Sequence, residues 1–382
     1  MRGMKPGAAV CLTSAVILAA TPKAATAVRP ATDLHTQAQE ISEKQLARFG
    51  EGYWARIDRQ RHIVYVSALD ETHLRQTLHL LTAFTDAFRR TLPVSKPAWN
   101  VTVILPTADD YHRLAKPFAD CVGYYSHRPR QLISIDRGRT LLHEFTHALH
   151  HVDAAAAKQS HPLWVAEGLA TLFESSRITP EGLMPRTDGR LLTLRRALRD
   201  DKAIPLHDLL TMGRSAFMKD AALTYAEARY VMYYLHHRDR LADWYRRYKA
   251  AFERDPDGVK TFEAALGNRL FLIEPAWQKW VLSLRMPRME RSAQQGRLGL
   301  AVKNHSRGVE VVGMVPGSAA KLAGRIRVGD VIEQFNGRAI TNPVELTAAV
   351  RAAGAMQTVT VHLIRHGRRT TVLQPLGAPD AH

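Results

Sequence analysis

Two histidines four residues apart, with a glutamate directly after the first, constrain this chain more than any other feature. In Leu142-His143-Glu144-Phe145-Thr146-His147-Ala148-Leu149 the spacing projects both imidazoles from one face of a helix, within reach of a single metal ion. Neutral imidazole is a good zinc ligand, and a carboxylate next to the first ligand can reach an activated water and act as general base, the role expected of Glu144. Twenty positions after His147 comes Glu167, in His161-Pro162-Leu163-Trp164-Val165-Ala166-Glu167-Gly168, where Pro162 can start a second helix. Packed on the first, that helix would present a third ligand. The competing readings are histidines exposed or satisfied in a core, and Glu167 as an ordinary surface carboxylate. A closed structural site is disfavoured, because three ligands beside a further carboxylate resemble an open catalytic site. His150, His151 and His161 are read as surface or supporting residues rather than ligands, although His151 shares the motif face.

The 382 residues and 46% hydrophobic content allow two or three folded units. Arg2 and Lys5 precede an apolar stretch from Ala8 to Ala20, and Ala25-Thr26-Ala27 offers small residues before Val28. This reads as an export signal cut near Ala27, since the apolar run falls short of the roughly 20 residues a bilayer span needs. The expected location is periplasmic or secreted, with no membrane span after cleavage. Cys11 lies inside the signal and follows Val10, where a lipoprotein site wants a small residue, so Cys121 is left alone in the mature chain. That rules out an internal disulfide and a cysteine zinc cluster. The formal charge is +17, yet the arginines are scattered or in short pairs such as Arg195-Arg196 and Arg246-Arg247. A solvated basic surface fits this better than specific nucleic-acid recognition.

Periodicity places a strand over His62–Val66, an amphipathic helix over Leu74–Leu92, and strands over Val101–Leu105 and Gln131–Asp136. The last of these leads into the motif helix, and its edge is expected to pair with an extended peptide. Beyond Pro162 the pattern is helical, with helices near 188–200, 205–212, 220–237 and 241–252 and a helical stretch over Phe262–Leu284. The polar segment Arg285–Gln295 reads as a linker. After Gly296 short β-type runs punctuated by glycine take over, at Leu298–Val302, Val309–Val312, Asp330–Phe335, Thr358–Ile364 and Thr370–Leu373. Helices are expected between them over Ser318–Ala323 and Pro343–Ala353. The predicted class is α+β: a mainly helical domain with a small sheet, then a partly open β-barrel capped by helices.

The arrangement His143-Glu144-x-x-His147 with Glu167-Gly168 resembles the gluzincin metallopeptidases, the group containing thermolysin and aminopeptidase N, and looks most like their small bacterial members. The likeness extends more weakly over about Val64 to Leu282, through Val122-Gly123-Tyr124-Tyr125-Ser126-His127-Arg128-Pro129 and Leu223-Thr224-Tyr225-Ala226-Glu227. It implies a zincin-like fold, zinc held by His143, His147 and Glu167, and hydrolysis in which Glu144 takes a proton from water and delivers it to the leaving amine. In the aminopeptidase N branch a tyrosine of a T-Y-x-K-G segment stabilises the oxyanion, and the match at Leu223-Thr224-Tyr225 makes Tyr225 the candidate. Its other reading is a packing residue in an aromatic helix with Tyr230 and Tyr233. Glu227-Ala228 stand where that branch has lysine and glycine, and Ala166 stands where asparagine commonly precedes the ligand glutamate. No G-x-M-E-N-like segment is present to bind a substrate amino terminus, which favours endopeptidase over aminopeptidase action.

Gly296 to Leu376 resembles a PDZ domain of the kind found in bacterial envelope proteases. The matching pieces are Arg297-Leu298-Gly299-Leu300, Val315-Pro316-Gly317-Ser318-Ala319-Ala320, Val328-Gly329-Asp330-Val331-Ile332 and Phe335-Asn336-Gly337. The resemblance implies that a protein or peptide partner adds a strand beside Leu300 to Val302, with its terminal carboxylate received by backbone N–H groups around Leu298, Gly299 and Leu300. The other reading of these three residues is a buried first strand with no ligand. Expected boundaries are 1–27 for the signal, 28–290 for the peptidase domain and 296–376 for the PDZ domain. The expected function is zinc-dependent endopeptidase action on envelope or secreted proteins, with PDZ-mediated substrate recognition. The alternative is a non-catalytic protein-binding module of the cell envelope, against which the intact Glu144 argues.

Overall fold

A computed structural model describes residues 33–97, 99–114, 121–286, 296–315, 318–354 and 357–377. The expected export signal, with Cys11 and Ala27, and most of the expected linker lie outside these residues. The chain is mixed α and β and about half helical. Among the described residues no helix is long and apolar enough to cross a membrane.

The first part comprises α1 (Leu34–Phe49), β1 (Trp54–Asp58), β2 (Ile63–Ser67), α2 (Glu71–Thr91), β3 (Val101–Leu105), α3 (Ala108–Leu114), β4 (Gly123–Ser126) and β5 (Gln131–Ser134). The strands form one sheet in the order β1-β2-β3-β5-β4, with β2, β3 and β5 parallel and the two outer strands antiparallel to their neighbours. β2 and β3 are buried along their whole length, which is why both read as continuous apolar runs. α2 is capped by Asp70, whose carboxylate accepts from His73 N, and it buries Leu74, Leu81, Phe84 and Phe88 on one face. The sequence from about Ala31 to Arg90 reads as mostly helical outside His62–Val66, and β1 falls within it; pairing with β2 across the turn at residues 59–62 overrides that local pattern. The expected peptide-pairing edge is corrected as well. β5 is hydrogen-bonded to β3 on one side and β4 on the other, so among the described residues the edge of the sheet beside the motif helix belongs to β4.

Then follow α4 (Arg139–Ala156), α5 (Leu163–Phe173), the hairpin β6 (Arg177–Thr179) and β7 (Gly182–Met184), α6 (Arg190–Arg199) and α7 (Leu206–Thr211). α8 (Arg214–Lys219), α9 (Ala221–His237), α10 (Leu241–Ala251), α11 (Val259–Leu266) and α12 (Leu270–Ser283) complete the helical part. The expected Phe262–Leu284 stretch is two helices, because Gly267 takes φ +70° and ends α11. One core runs through all of these elements, with Phe84, Phe145, Trp164, Tyr230, Trp244 and Trp277 inaccessible to solvent. α5 lies at its centre between α4 and α9, apolar on every side except at Glu167 and Thr171. Gly168 permits this: a Cβ there would stand 2.8 Å from Met232 Cγ and 2.9 Å from Ala228 O, so α5 and α9 approach more closely than a side chain would allow.

The carboxy-terminal part holds β8 (Leu300–His305), β9 (Gly308–Met314), α13 (Ala319–Ala323), β10 (Val331–Phe335), β11 (Arg338–Ala339), α14 (Pro343–Ala353), β12 (Thr358–Arg365) and β13 (Arg368–Pro375). Its sheet runs β13-β12-β10-β9-β8, with β11 beside β10. A bridge between Arg297 and Gly377 joins the segment entering β8 to the one leaving β13, closing the sheet in part. A separate core of Leu298, Val309, Ile332, Phe335, Leu346 and Val361 fills it. The two parts are docked. Leu322 packs on the main core, Ala323 joins a cluster with Tyr111 and Val122, and Arg325 donates to Cys121 O at 2.9 Å.

Candidate metal centre

α4 starts from the turn Asp136-Arg137-Gly138, in which the Asp136 carboxylate accepts from Thr140 N at 2.8 Å and so satisfies one of the open amides of the helix. One and two turns on, His143 and His147 face α5. Their Nε2 atoms are 3.1 Å apart, and Glu167 Oε2 lies 3.4 Å from the first and 3.3 Å from the second. A tetrahedral zinc about 2.0–2.1 Å from each ligand needs ligand atoms about 3.3–3.4 Å apart. Glu167 is fully buried, and among the described residues its only polar neighbours are the two imidazoles, beyond good hydrogen-bond distance. A buried carboxylate in that state is costly unless a cation meets it. Among the described residues this is the one cluster of three or more histidine, cysteine or acidic side chains with metal-binding spacing. The donor set therefore fits zinc.

Electrostatics set the state of these groups. Burial disfavours the charge on Glu167, yet His147 and His143 outweigh it and hold the carboxyl at about 2. Burial also opposes charge on His143, but Glu167 and Glu174 lift it to about 10. Glu144 is buried, and its Oε2 accepts from Tyr125 N on β4 at 2.9 Å. Burial raises its pKa against the pull of His143 and His147, and a more basic carboxylate is a better proton acceptor.

Glu174 is a site residue that motif reasoning missed. It caps α5 seven positions after Glu167, two turns further along the same face. Its Oε2 stands 2.8 Å from His143 Nδ1, and its Oε1 pairs with Arg139 and Arg190. Both arginines also reach Asp188, at 2.8 and 3.1 Å, and Arg229 approaches Asp188 at 3.3 Å. Burial resists the charge on Glu174, but Arg190, Arg139 and His143 hold it well below the usual carboxylate range. A charged carboxylate can only accept, so His143 Nδ1 donates to Glu174, and Nε2 is the ring atom that faces Glu167 and would serve as the ligand.

Tyr225 lies on α9, buried, with its ring nearly parallel to that of His143 and the centroids 6.5 Å apart. Glu227, where the resemblance would want lysine, accepts from Ile204 N at 2.8 Å, and burial lifts its pKa to about 8. Ala228 is the residue against which Gly168 packs. His150 and His161 are buried rather than on the surface; His150 Nε2 and His161 Nδ1 are 2.8 Å apart. His151 Nδ1 pairs with the Tyr125 hydroxyl at 2.9 Å. Burial holds His150 well below the usual histidine range, His151 at about 3 and His161 at about 4, so all three stay neutral.

Leu298, Gly299 and Leu300 lead into β8, the edge strand of the carboxy-terminal sheet. Gly299 has φ +70°, and a Cβ on it would stand 2.2 Å from Ser318 Cβ, so glycine is required. Val315 N donates to Gly299 O and Ala320 N to Leu298 O, which fixes the loop against the start of α13.

Residues 296–373 match the PDZ domain family, and residues 138–256 match a family described as a protein of unknown function, DUF1570. The second span contains His143, Glu144, His147, Glu167, Glu174 and Tyr225. No curated protein matches the chain. Among solved structures, the HtrA-type protease AlgW with a decapeptide is 15% identical, over 29% of this chain and 36% of that one, with a TM-score of 0.22. The HtrA3 PDZ domain bound to a phage-derived ligand is 21% identical over 22% of this chain and 86% of its own, with a TM-score of 0.19. An aminopeptidase N family protein from Idiomarina loihiensis is 14% identical over 86% of this chain and 67% of that one, with a TM-score of 0.33. The chain thus spans little more than a third of the length of the AlgW protease, and likeness at these scores does not fix a fold. The carboxy-terminal domain is a PDZ domain.

Proposed function

We propose that this protein is a zinc-dependent endopeptidase of zincin-like fold, related to the gluzincins, in which His143, His147 and Glu167 hold the ion. The observation that carries the reading is the convergence of two imidazole nitrogens on one buried carboxylate oxygen, at 3.4 and 3.3 Å, the separation zinc ligands need. Bound zinc would supply Lewis-acid polarisation of the scissile carbonyl and of the attacking water. Glu144, its Oε2 steadied by Tyr125 N–H, takes the water's proton and delivers it to the amine nitrogen as the C–N bond breaks. Glu174 keeps the His143 ring turned so that Nε2 remains the donor atom. Tyr225 is proposed to donate its hydroxyl hydrogen bond to the oxyanion, an effect worth roughly 3 kcal/mol in comparable sites. The edge strand β4 offers backbone groups for an extended substrate.

The substrates proposed are envelope or secreted proteins, recruited in part through the PDZ domain. Export by the amino-terminal signal, cleavage near Ala27 and a periplasmic or secreted location belong to the same reading. The test is digestion of unfolded casein by the purified protein. Activity abolished by a chelator and restored by zinc supports the proposal; undiminished digestion in excess chelator contradicts it.

A further inference from the structure

The two docked parts enclose a cleft of about 770 Å³, and its walls come from different domains. On one side are Leu298 and Leu300 at the start of β8 and Leu346, Val350 and Arg351 of α14. On the other are Gln76 and Leu80 of α2 and Arg137, in the turn from which α4 begins. The start of β8, an edge strand among the described residues, therefore faces the domain that carries His143 through Leu298, Leu300 and Val302, while Ala301, Lys303 and Asn304 are exposed. Arg325, donating to Cys121 O and lying over the Tyr111 ring at 5.8 Å, helps to fix this docking.

The chemistry of the walls specifies an occupant. Leu298, Leu346 and Val350 make an apolar end to the cleft beside the edge of β8. Arg137 and Arg351 bring cations from opposite sides. The one carboxylate in the lining, Asp136, is engaged with Thr140 N. The Arg137 guanidinium, half-buried, makes no hydrogen bond or ion pair among the described residues; its electrostatic partners Asp70 and Asp136 are beyond ion-pair distance.

We infer that the cleft is a composite site for a peptide with a free carboxyl terminus, an apolar last residue and acidic residues just upstream, gripped by β8 and α14 on one side and by Arg137 on the other. The strand adds to β8, the last side chain enters the apolar end, and the upstream carboxylates lie between Arg137 and Arg351. The inference rests on the peptide-recognition part of the proposed function and is independent of hydrolysis. It adds that the peptidase domain supplies part of the recognition, at the turn that caps the helix of His143.

The probe is a fluorescein-labelled decapeptide with a Glu-Asp-Glu stretch before a terminal Val-Val and a free carboxylate. Its binding to the full-length Glu144→Gln protein is read by fluorescence anisotropy, so cleavage does not enter. The C-terminal amide, and a peptide with lysines in place of the three acids, are expected to bind at least about tenfold more weakly. Arg137→Glu, added to the same protein, is expected to weaken the acidic peptide by about tenfold or more and to favour the lysine peptide. Unchanged affinity in a folded Arg137→Glu protein would overturn the inference, since a groove made by the PDZ domain alone would not sense that residue. Should that variant not fold, Arg137→Gln decides: discrimination between acidic and lysine peptides is then lost, and its full retention overturns the inference. Binding seen only in a variant ending at Gly377 would identify the residues beyond it as the occupant and also overturn it.

Discussion

Glu174 and Glu144 stand on either side of His143 and are expected to fail in different ways. Glu174→Gln leaves an amide in place of the charged acceptor on Nδ1, so the His143 ring is less firmly held; zinc affinity is expected to fall about 10–100-fold, measured by competition with a chromophoric chelator. Unchanged affinity would make Glu174 a structural member of the arginine cluster only. This residue was legible in principle, since it follows Glu167 by two helical turns, but its partners Arg139, Arg190 and Asp188 are far apart in sequence and carry no motif. The contact of Glu144 with Tyr125 could not be read at all, because the donor is a backbone amide. Glu227 allows a test of burial. Its folded pKa of about 8 lies above the unfolded value of 4.5, so the folded state holds the extra proton between these values. Stability from this group is full below the unfolded pKa and falls as pH rises towards the folded one, by about 1.4 kcal/mol per pH unit. The stability difference between Glu227→Gln and the wild type should therefore shift steadily in favour of the variant from about pH 4.5 to about pH 8. Parallel denaturation profiles would contradict this.

At the level of elements, the position of Glu167 depends on how closely α5 lies against α9. Gly168→Ala places a methyl group 2.9 Å from Ala228 O, a backbone atom that cannot rotate away. The expected cost is about 1–3 kcal/mol in urea denaturation, accompanied by weaker zinc binding as Glu167 shifts; a variant of wild-type stability would mean that the two helices have room to part. α4 and α9 were readable because each is long with apolar residues at helical spacing, and α5 because Pro162 precedes its apolar run. β6 and β7 were not, since strands of three residues are too short to show a period. The misplaced sheet edge has a different cause. Nothing local in Gln131–Ser134 reports that a fifth strand pairs outside it, because strand order is set by contacts between distant segments.

The whole molecule joins a helical domain bearing the candidate centre to a PDZ domain. The second was the more legible, because its glycine-punctuated turns occur at fixed offsets and Gly299 is required by its backbone conformation. Their docking was not legible, since it depends on single contacts such as Arg325 with Cys121 and Ala323 with Tyr111 and Val122. That docking sets the PDZ groove beside the turn that begins α4. The central claim, however, concerns the centre itself, and it is tested most directly by elemental analysis of purified wild type, Glu144→Gln and His147→Ala, each assayed on unfolded casein. Near-stoichiometric zinc in the first two and little in the third, with cleavage by the wild type and a loss of about 10²–10⁴-fold in Glu144→Gln, is expected. Wild-type protein without zinc, or Glu144→Gln cleaving at the wild-type rate, would contradict it.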